Sequence, residues 1–442
     1  MTTPAPTPSI DTRAIWAIAL PAMVTNVATA LIGIGDMWIV GQLGDAPTQG
    51  AVDVGARLFA VLFTVMNFLK TGTTGLVAQA GTRDGVQAQT LVLLRGLLVG
   101  LAIGAVLLLA KPLLLPLALD ALGAEGSVRE AAIIYAEIRY WSAPAVMVNF
   151  ALIGFLVGQR RMTAVLLVEV AYNLLNVGLG LWFVLGLDWG IAGIGWSSFI
   201  AEFAKLAVLA MILLGGAQGT NLIARARSGG VAKLSGLVPF LSVNRDLFLR
   251  TLVLVVALAA LTRLSAERGA VTLAANGIIY QLFIFTALLL DGFENAAQVL
   301  NGERAGASDR AGFVGYLRAI LWRGMGAAAL VALAFAIFAD PILHSFAATG
   351  EVAREAQSLS PWLVLIPFLG LAGFVMDGVF VGASWTRTLL YTMVGASLVY
   401  ACALWITWPL GSHGLWLSFC LFLIARAGFQ LVFLPGLLKK EF

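Results

Sequence analysis

Carboxylate side chains inside long apolar stretches are the residues of this sequence best suited to chemistry. They are Asp36, Glu169, Asp291, Glu294 and Asp377. A charge near the centre of a lipid bilayer costs at least about 2.5–3.5 kcal/mol, so such a residue generally faces a cavity or a partner. Asp36 and Asp377 have short side chains that cannot reach the headgroups, so they need water, a cation or a hydrogen-bonding partner within the protein. Glu294 follows Asp291 on the same helix face, where two carboxylates favour a shared proton, although either could instead pair with Arg250. These residues predict the binding of protons or cations.

The other charged residues in these stretches have structural explanations. Four arginines lie near the predicted cytoplasmic edge, where long side chains reach the headgroups: Arg95, Arg318, Arg323 and Arg426. Glu137 and Arg139 lie within one helical turn of each other, and so do Glu202 and Lys205. Each pair can therefore neutralise its own charges.

Motifs of membrane enzymes are absent from the sequence, apart from one short match. Residues 33–36 spell the Gly-x-Gly-Asp of intramembrane aspartyl proteases, whose chemistry needs two carboxylates that share a proton. The Pro-Ala-Leu tripeptide that accompanies this motif in those proteases does not occur, and neither do HExxH, DDxxD, GxxxxGK(S/T) or Gly-x-Ser-x-Gly. We predict that the protein is not an enzyme and that it has no metal site and no cofactor.

The apolar stretches themselves define the fold class. Of the 442 residues, 60% are hydrophobic and 11% are charged, whereas soluble proteins carry about 45–50% apolar and about 25% charged residues. A transmembrane helix needs about 20 apolar residues. Twelve segments of spanning length occur, at 14–40, 53–80, 88–118, 128–158, 162–186, 190–215, 246–266, 270–300, 313–339, 352–383, 386–409 and 412–436. Because they are continuous and rich in Leu and Ala, they exclude the alternating strands of a β-barrel. We predict an all-α polytopic membrane protein with twelve transmembrane helices.

Basic residues in the connecting segments orient these helices. They are more numerous on the side of the amino terminus, which makes that side cytoplasmic and places both termini there. The 27 Lys and Arg never form the run of five or more that nucleic-acid-binding segments show, which excludes nucleic acid as a partner. The predicted segments are a cytoplasmic tail at 1–13, an amino-terminal six-helix lobe at 14–215, a cytoplasmic linker at 216–245, a carboxyl-terminal six-helix lobe at 246–436 and a cytoplasmic tail at 437–442.

An internal repeat relates the two predicted lobes. A shift of 224 positions places Gly154-Phe-Leu-Val-Gly158 on Gly378-Val-Phe-Val-Gly382, and it places Pro144 within one residue of Pro367. Each lobe has an even number of spans, so both enter the membrane from the same side, and a pseudo-twofold axis along the membrane normal relates them. The interface between the lobes is the default place for a substrate. The paired glycines themselves are more typical of helix packing than of substrate contact.

Several segments resemble the multidrug and toxic compound extrusion (MATE) transporters, in particular their DinF branch. The segments are Asn67–Ala80, with Pro21, Asp36, Gly41 and Gly44 before it, Tyr135–Pro144, Asn244–Arg250, Leu290–Gln298 and Phe374–Ala383. The resemblance covers nearly the whole chain. It implies two lobes arranged in a V and the export of amphipathic, often cationic compounds in exchange for protons or sodium.

The resemblance also implies a cation site in the amino-terminal lobe. The matching positions in this sequence are Asp36, Asn176, Gly180 and Ser198. Gly180 stands where the family often has a second Asp. Sodium requires several oxygen ligands whereas a proton requires one carboxylate, so this difference weakens the sodium interpretation more than the proton interpretation. In the other lobe Gln298 replaces a Glu of the DinF branch, while Asp377 is retained, so Asp291, Glu294 and Asp377 are candidates for coupling there.

Together these features predict a secondary active multidrug exporter that works by alternating access. We expect it in the inner (plasma) membrane of a bacterium, as a monomer in contact with membrane lipid. The predicted coupling ion is a proton, with sodium as the alternative, and the predicted partners are small-molecule substrates. Aromatic candidates for the wall of the substrate cavity are Trp38, Phe63, Tyr280 and Phe283.

Two other functions remain open. A flippase for a lipid-linked glycan belongs to the same superfamily and would line its cavity with several arginines. Apart from Lys70 and Arg250, the predicted cavity helices carry few cations, which favours a cationic or amphipathic substrate. A scaffold without transport is the third option, but a structural bundle does not need buried acids.

The orientation is testable with single cysteines introduced into a chain that lacks Cys402 and Cys420. We expect a cysteine at Ser308 to react only with a reagent in the cytoplasm and one at Thr349 only with a reagent outside, because of the distribution of basic residues. Labelling with a membrane-impermeant thiol reagent, before and after permeabilisation of the cells, measures this. A cysteine at position 308 that is labelled in intact cells would contradict the orientation.

Overall fold

The computed structural model describes most of the chain, and the described part is almost entirely helical. No β-strand occurs among these residues, which confirms the predicted all-α class. The described backbone comprises residues 10–41, 46–215, 217–227 and 230–442. Inside its helices, some side chains lie outside the description, namely those of residues 31–37, 40–41, 46–47, 217–218 and 234.

The described helices follow the apolar stretches of the sequence. Those before residue 216 are α1 (Thr12–Gly41), α2 (Ala46–Met66), α3 (Phe68–Arg83), α4 (Val86–Ala121), α5 (Gly126–Tyr140), α6 (Ala143–Gly158), α7 (Met162–Leu181) and α8 (Gly190–Leu214). A π-helical turn, Trp182–Gly186, extends α7. Pro144 lies in the first turn of α6, where the missing N–H of proline leaves no helical hydrogen bond unmade.

Further helices follow the middle of the chain. They are α9 (Ala217–Arg227), α10 (Leu234–Ala266), α11 (Ala270–Gly306), α12 (Arg310–Phe346), α13 (Gly350–Ser358), α14 (Ser360–Gly382), α15 (Thr386–Thr407) and α16 (Gly411–Glu441). A 3-10 turn, Trp408–Leu410, separates α15 from α16, and Gly411 after it has a φ of +65°, which a glycine adopts without strain.

The number of membrane spans agrees with the sequence. Within the described residues, ten helical segments are long and apolar enough to cross a membrane, and α5 with α6, bent by 50°, makes an eleventh. One of the ten segments, Thr386–Glu441, contains both α15 and α16, which pack against each other and therefore count as two. The described helices are therefore consistent with the twelve spans that the sequence predicts.

Two glycines of α6 allow it to approach α3 closely. A Cβ atom on Gly154 would lie 2.5 Å from the Lys70 carbonyl oxygen, and one on Gly158 would lie 2.8 Å from the Thr74 carbonyl oxygen. Neither distance leaves room for a side chain, because the neighbouring atom belongs to the backbone. These glycines are therefore packing residues.

The same arrangement recurs in the second half of the chain. A Cβ atom on Gly378 would overlap the Glu294 carbonyl oxygen, and one on Gly382 would overlap the Gln298 carbonyl oxygen, so α14 approaches α11 as α6 approaches α3. All four residues of this contact lie 224 positions after their counterparts. The internal repeat of the sequence is therefore also a repeat of backbone contacts.

The chain divides into two compact units. One unit comprises Val24–Ala80 and Asp84–Leu241, and the other comprises the chain up to Met23, Gly81–Arg83 and Ser242–Phe442. Helix α1 thus contributes to both units, which the predicted lobe boundary at residue 14 does not anticipate.

The first part of α1 joins the carboxyl-terminal unit through a close helix contact. A Cβ atom on Gly292 of α11 would lie 2.5 Å from the Ala19 carbonyl oxygen. The Trp16 ring lies edge-on to the Phe293 ring, with 5.5 Å between their centroids. The absence of a side chain at Gly292 therefore lets α1 and α11 pack backbone to backbone.

The repeated glycine contacts predict the effect of a single methyl group. We expect Gly378→Ala to destabilise the protein by about 1–3 kcal/mol, because the added Cβ overlaps a backbone oxygen that cannot move aside. The apparent melting temperature in detergent, followed by size-exclusion chromatography, measures the effect. The matched control is Gly326→Ala in α12, where the structure shows no atom within 4 Å of the new Cβ. Equal melting temperatures for the two variants would contradict the packing function of Gly378.

Candidate functional site

Two of the predicted coupling residues meet in the amino-terminal unit. The Asn176 Nδ2 atom on α7 donates a hydrogen bond of 3.3 Å to the Ser198 Oγ atom on α8, and both side chains are buried. The Asn176 Oδ1 atom is buried and has no hydrogen-bond partner among the described residues. A buried polar atom of this kind carries a free-energy penalty unless a further donor binds it. The pair is thus able to accept a proton donor or a cation.

Helix α1 runs beside this pair. Ile39 of α1 is fully buried, and a Cβ atom on Gly180 would lie 3.1 Å from the Ile39 Cδ1 atom and 3.6 Å from the Ser197 Oγ atom. The glycine therefore leaves room for Ile39, and an acid at this position would have to displace it. Asp36 precedes Ile39 by three residues in the same helix, and its side chain lies outside the described residues.

A buried charged cluster lies further along α7 and α8 in the same unit. We call Asn149, Glu169, Tyr172, Glu202 and Lys205 the Lys205 cluster. The Lys205 Nζ atom lies 3.6 Å from a Glu169 carboxylate oxygen and 3.2 Å from a Glu202 carboxylate oxygen. The predicted pairing of Glu202 with Lys205 is confirmed, and Glu169 shares the same ammonium group.

Polar side chains on two further positions complete the Lys205 cluster. The Asn149 Nδ2 atom on α6 donates to the Glu202 Oε2 atom at 3.0 Å and to the Glu202 carbonyl oxygen at 3.2 Å. The Lys205 Nζ atom also lies 3.8 Å from the centroid of the Tyr172 ring. Lys205 thus joins α8 to α7, and Glu202 joins α8 to α6.

Asp377 is the centre of a second cluster, in the carboxyl-terminal unit. We call Arg250, Asp377, Arg426 and Gln430 the Asp377 cluster. The Arg426 Nε atom donates to the Asp377 Oδ1 atom at 3.2 Å, and the Gln430 Nε2 atom donates to the same oxygen at 2.5 Å. Both Arg250 and Arg426 form ion pairs with the other carboxylate oxygen. Asp377 thus has partners within the protein, as its position in an apolar stretch predicts.

The prediction that Arg426 reaches the lipid headgroups is wrong. The side chain is 3% exposed and points into the unit toward Asp377. Its stem lies against Gly373, where a Cβ atom would be 3.5 Å from the Arg426 Cδ atom, and its guanidinium lies 5.3 Å from the centroid of the Phe374 ring. Position along the helix does not show the direction of this side chain, which depends on its partner in α14.

Asp291 and Glu294 lie on α11, next to the Asp377 cluster. Both are partly buried, and both carboxylates act electrostatically on Arg250 and Arg426. Arg250 directly contacts Asp377, and its interaction with the acids on α11 adds to this ion pair. All three predicted carboxylates of this unit therefore interact with the guanidinium groups of Arg250 and Arg426.

Glu137 has a partner on another helix that the sequence did not indicate. The Lys111 side chain of α4 forms an ion pair with it, and Arg139 donates a hydrogen bond to the Tyr135 hydroxyl group. The Lys111 ammonium group also lies over the Trp141 ring, 5.3 Å from its centroid.

The aromatic residues predicted for a substrate cavity have unequal environments. Trp38 is 59% exposed and Phe63 is partly buried. Phe283 is buried in its unit, where its ring lies 4.9 Å from the ring of Phe419, and Tyr280 packs against it with 6.0 Å between the ring centroids. Phe283 is therefore a core residue, and Trp38 has the most accessible ring of the four.

Comparison with known proteins places these features in a family. The family model of MatE matches the chain twice, over residues 21–182 and 247–406. The chain belongs to the MatE family. The two matches end at residues that are 224 positions apart, which is the spacing of the internal repeat. The family consists of transporters, so this MatE protein is a transporter and not an enzyme.

Individual relatives agree with the assignment. DNA damage-inducible protein F of Escherichia coli is 32% identical over 420 residues, which cover 94% of this chain and 90% of that protein. A probable multidrug resistance protein NorM of Rhizobium meliloti is 26% identical, with coverage of 94% and 91%. A solved MATE structure in the bent conformation has the same fold, with a TM-score of 0.89 at 18% identity and coverage of 97% and 96%. The predicted resemblance to MATE proteins of the DinF branch is confirmed.

The Asp377 cluster predicts a stability effect that a free carboxylate would not show. We expect Asp377→Asn to destabilise the MatE protein by about 3–5 kcal/mol, because two guanidinium groups lose their buried counter-charge. Thermal unfolding in detergent measures this loss. Asp291→Asn is the matched control, since Asp291 is partly exposed, and we expect it to have the smaller effect. An Asp377→Asn protein that unfolds at the temperature of the wild type would contradict a structural function.

Proposed function

We propose that this MatE protein exports amphipathic, cationic compounds and that protons drive the export. Membership of a transporter family supports transport, and the name of the Rhizobium meliloti relative, a probable multidrug resistance protein, supports drug-like substrates. We place it in the inner membrane of a bacterium, as a lipid-embedded monomer with both termini in the cytoplasm.

The observation that supports coupling most directly is the Asn176 oxygen, which has no hydrogen-bond partner in the described part of the chain. This buried acceptor lies next to Ser198 and beside the helix that carries Asp36. A protonated Asp36 would offer a hydrogen-bond donor to such an acceptor, whereas an ionised Asp36 would not. Protonation of Asp36 would therefore change how strongly α1 is held against α7.

Protons fit the described residues better than sodium does. Hard cations take several oxygen ligands, and Asn176 and Ser198 supply only two side-chain oxygens, while Gly180 supplies none. In the other unit, Asp377 already binds two arginines and a glutamine. A proton needs only one carboxylate, and the amino-terminal unit has one at Asp36.

The transport cycle follows from a difference between two states. With Asp36 protonated, α1 is held by Asn176 and Ser198, and with Asp36 ionised it is released. If the two states differ in affinity for the exported compound, protonation from outside releases the compound and deprotonation toward the cytoplasm restores binding. This is alternating access driven by a proton gradient.

A glycan flippase receives less support. An anionic lipid-linked substrate would need free cationic side chains, but Arg250 is committed to Asp377, and Lys205 to two glutamates. A cationic substrate does not need free cationic side chains in the protein.

Transport in proteoliposomes tests the proposal. We expect the wild-type protein to move a fluorescent organic cation when a pH gradient is imposed, and an equal sodium gradient to have no effect. Asp36→Asn mimics the protonated state permanently, so it should reduce gradient-driven transport to the level of empty liposomes. Binding of the dye to the variant in detergent should persist.

The matched control is Asp84→Asn, which makes the same change at an exposed residue after α3 and should transport normally. A folded Asp36→Asn protein that still transports on a pH gradient would overturn the proposal. Stimulation of transport by sodium at constant pH would replace proton coupling with cation coordination at Asp36, Asn176 and Ser198.

A further inference from the structure

Two arginines lie together at the predicted cytoplasmic edge of the amino-terminal unit, and the proposed function uses neither of them. Arg95 belongs to α4 and Arg225 to α9, and these two helices pack against each other. Arg225 acts electrostatically on Arg95, so the two like charges repel each other. An anion bound to both guanidinium groups would remove this repulsion.

Arg95 has no compensating partner in the described part of the chain. Its Nε atom is buried and makes no hydrogen bond there, and no carboxylate of these residues forms an ion pair with it. A guanidinium group presents five N–H donors in a planar fork that matches the oxygens of a phosphate group. Arg95 therefore offers donors to a ligand that the chain itself does not supply.

The sequence around the two arginines contains cations and no acids. Helix α4 has no Asp or Glu before Asp120, close to its other end. Between residues 206 and 241 the chain has three basic residues, Arg225, Arg227 and Lys233, and no Asp or Glu. Charge complementarity therefore favours an anionic ligand at this edge.

The first turns of α10 lie against Arg95 in the same unit. A Cβ atom on Gly236 would overlap the Arg95 guanidinium group, so the backbone of α10 is next to it. Phe240, which is 3% exposed, packs one turn further along, and a Cβ atom on Gly96 would be 3.7 Å from its Cζ atom. Arg95 thus has a neighbouring backbone on α10 and a neighbouring cation on α9.

Exposed apolar side chains continue from the arginines into the predicted span. Leu98 lies one turn from Arg95 on the same face of α4 and is 41% exposed, and Leu101 is 54% exposed. On α9, Ile223 is 48% exposed. Basic pockets between helices at the cytoplasmic side of a membrane are typical sites for lipid headgroups. An apolar surface beside such a pocket suits the acyl chains of the same lipid.

We propose that Arg95 and Arg225 bind the phosphate group of an anionic phospholipid, whose acyl chains lie along Leu98 and the neighbouring apolar side chains of α4. The headgroup bridges two guanidinium groups, so the lipid holds α9, a helix of the predicted linker, against α4. The inference goes beyond the proposed function, because it assigns a resident lipid and not the exported compound or the coupling ion. Only the assignment to the cytoplasmic leaflet rests on the proposed orientation.

Native mass spectrometry of the purified, delipidated protein tests the inference. Two lipids with the same acyl chains are compared, dioleoyl phosphatidylglycerol, which is anionic, and dioleoyl phosphatidylcholine, which has no net charge. We expect the wild-type protein to bind phosphatidylglycerol more tightly. Arg95→Gln should weaken this binding about fivefold, the contribution of one cation near a membrane surface, and should leave phosphatidylcholine binding unchanged.

The matched control is Arg318→Gln on α12, which makes the same change at an exposed arginine of the same predicted membrane edge. We expect it to keep the wild-type affinity for phosphatidylglycerol. Arg225→Gln is the second variant, and it should weaken binding as Arg95→Gln does. It keeps the test decisive if Arg95→Gln does not fold.

Wild-type affinity for phosphatidylglycerol in a folded Arg95→Gln or Arg225→Gln variant would overturn the lipid site. An equal loss of affinity in Arg318→Gln would also overturn it, because the attraction would then belong to the whole basic surface. Glycerol phosphate has a phosphate group but no acyl chains, and we expect it not to displace the lipid at equal concentration.

Equal competition by glycerol phosphate would assign the two arginines to a soluble phosphate compound and would contradict the lipid. These measurements use no transported compound and no ion gradient. Their failure would therefore leave the proposed coupling at Asp36 untouched, and a failure of proton-driven transport would leave the lipid site untouched.

Discussion

A charge buried among membrane helices has to be compensated within the protein, because neither lipid nor apolar side chains solvate it. This requirement explains the polar contacts between helices in both units. In the amino-terminal unit Lys205 joins α8 to Glu169 of α7, and Asn149 adds α6. In the carboxyl-terminal unit Asp377 joins α14 to α10 and α16 through Arg250 and Arg426. Removal of one charged member leaves the other charge buried and unpaired. Each cluster therefore constrains which helices can pack against each other.

The extent to which each polar group is satisfied separates structural residues from candidates for ion binding. Both oxygens of Asp377 are occupied by cationic or amide donors, so an incoming ion would first have to displace them. Asn176 differs, because one of its two polar atoms is bound to Ser198 and the other has no partner within the residues that the structure describes. A site that binds and releases an ion needs this second kind of group. This difference is the reason why we propose coupling in the amino-terminal unit.

The sequence was sufficient for properties that depend on local composition. The twelve spans follow from apolar length, and the glycine spacing at 154–158 and 378–382 predicted a repeat that the backbone contacts reproduce. The resemblance to a known family supplied Asn176 and Ser198, which the structure brings into contact. All of these depend on helical spacing or on matched positions.

Properties that depend on neighbouring helices could not be predicted in this way. The partner of Arg426 was unknown, because Asp377 lies 49 residues away in the sequence. Glu137 likewise has a partner on another helix, Lys111 of α4, which spacing along α5 could not indicate. A buried charge pairs with an opposite charge that is near it in space. Spacing along one helix does not show which residue of another helix that is.

The glycine contacts also bear on how the two halves of the chain diverged. Each contact is made by a main-chain oxygen, and the residue that supplies this oxygen is Lys70 in one half and Glu294 at the equivalent position of the other. By the same shift of 224 positions, Glu202 corresponds to Arg426. A duplicated six-helix unit can thus keep one backbone architecture while its two copies evolve opposite charges. The contact requires only that the glycine has no side chain, so the side chain of the residue across from it is free to change.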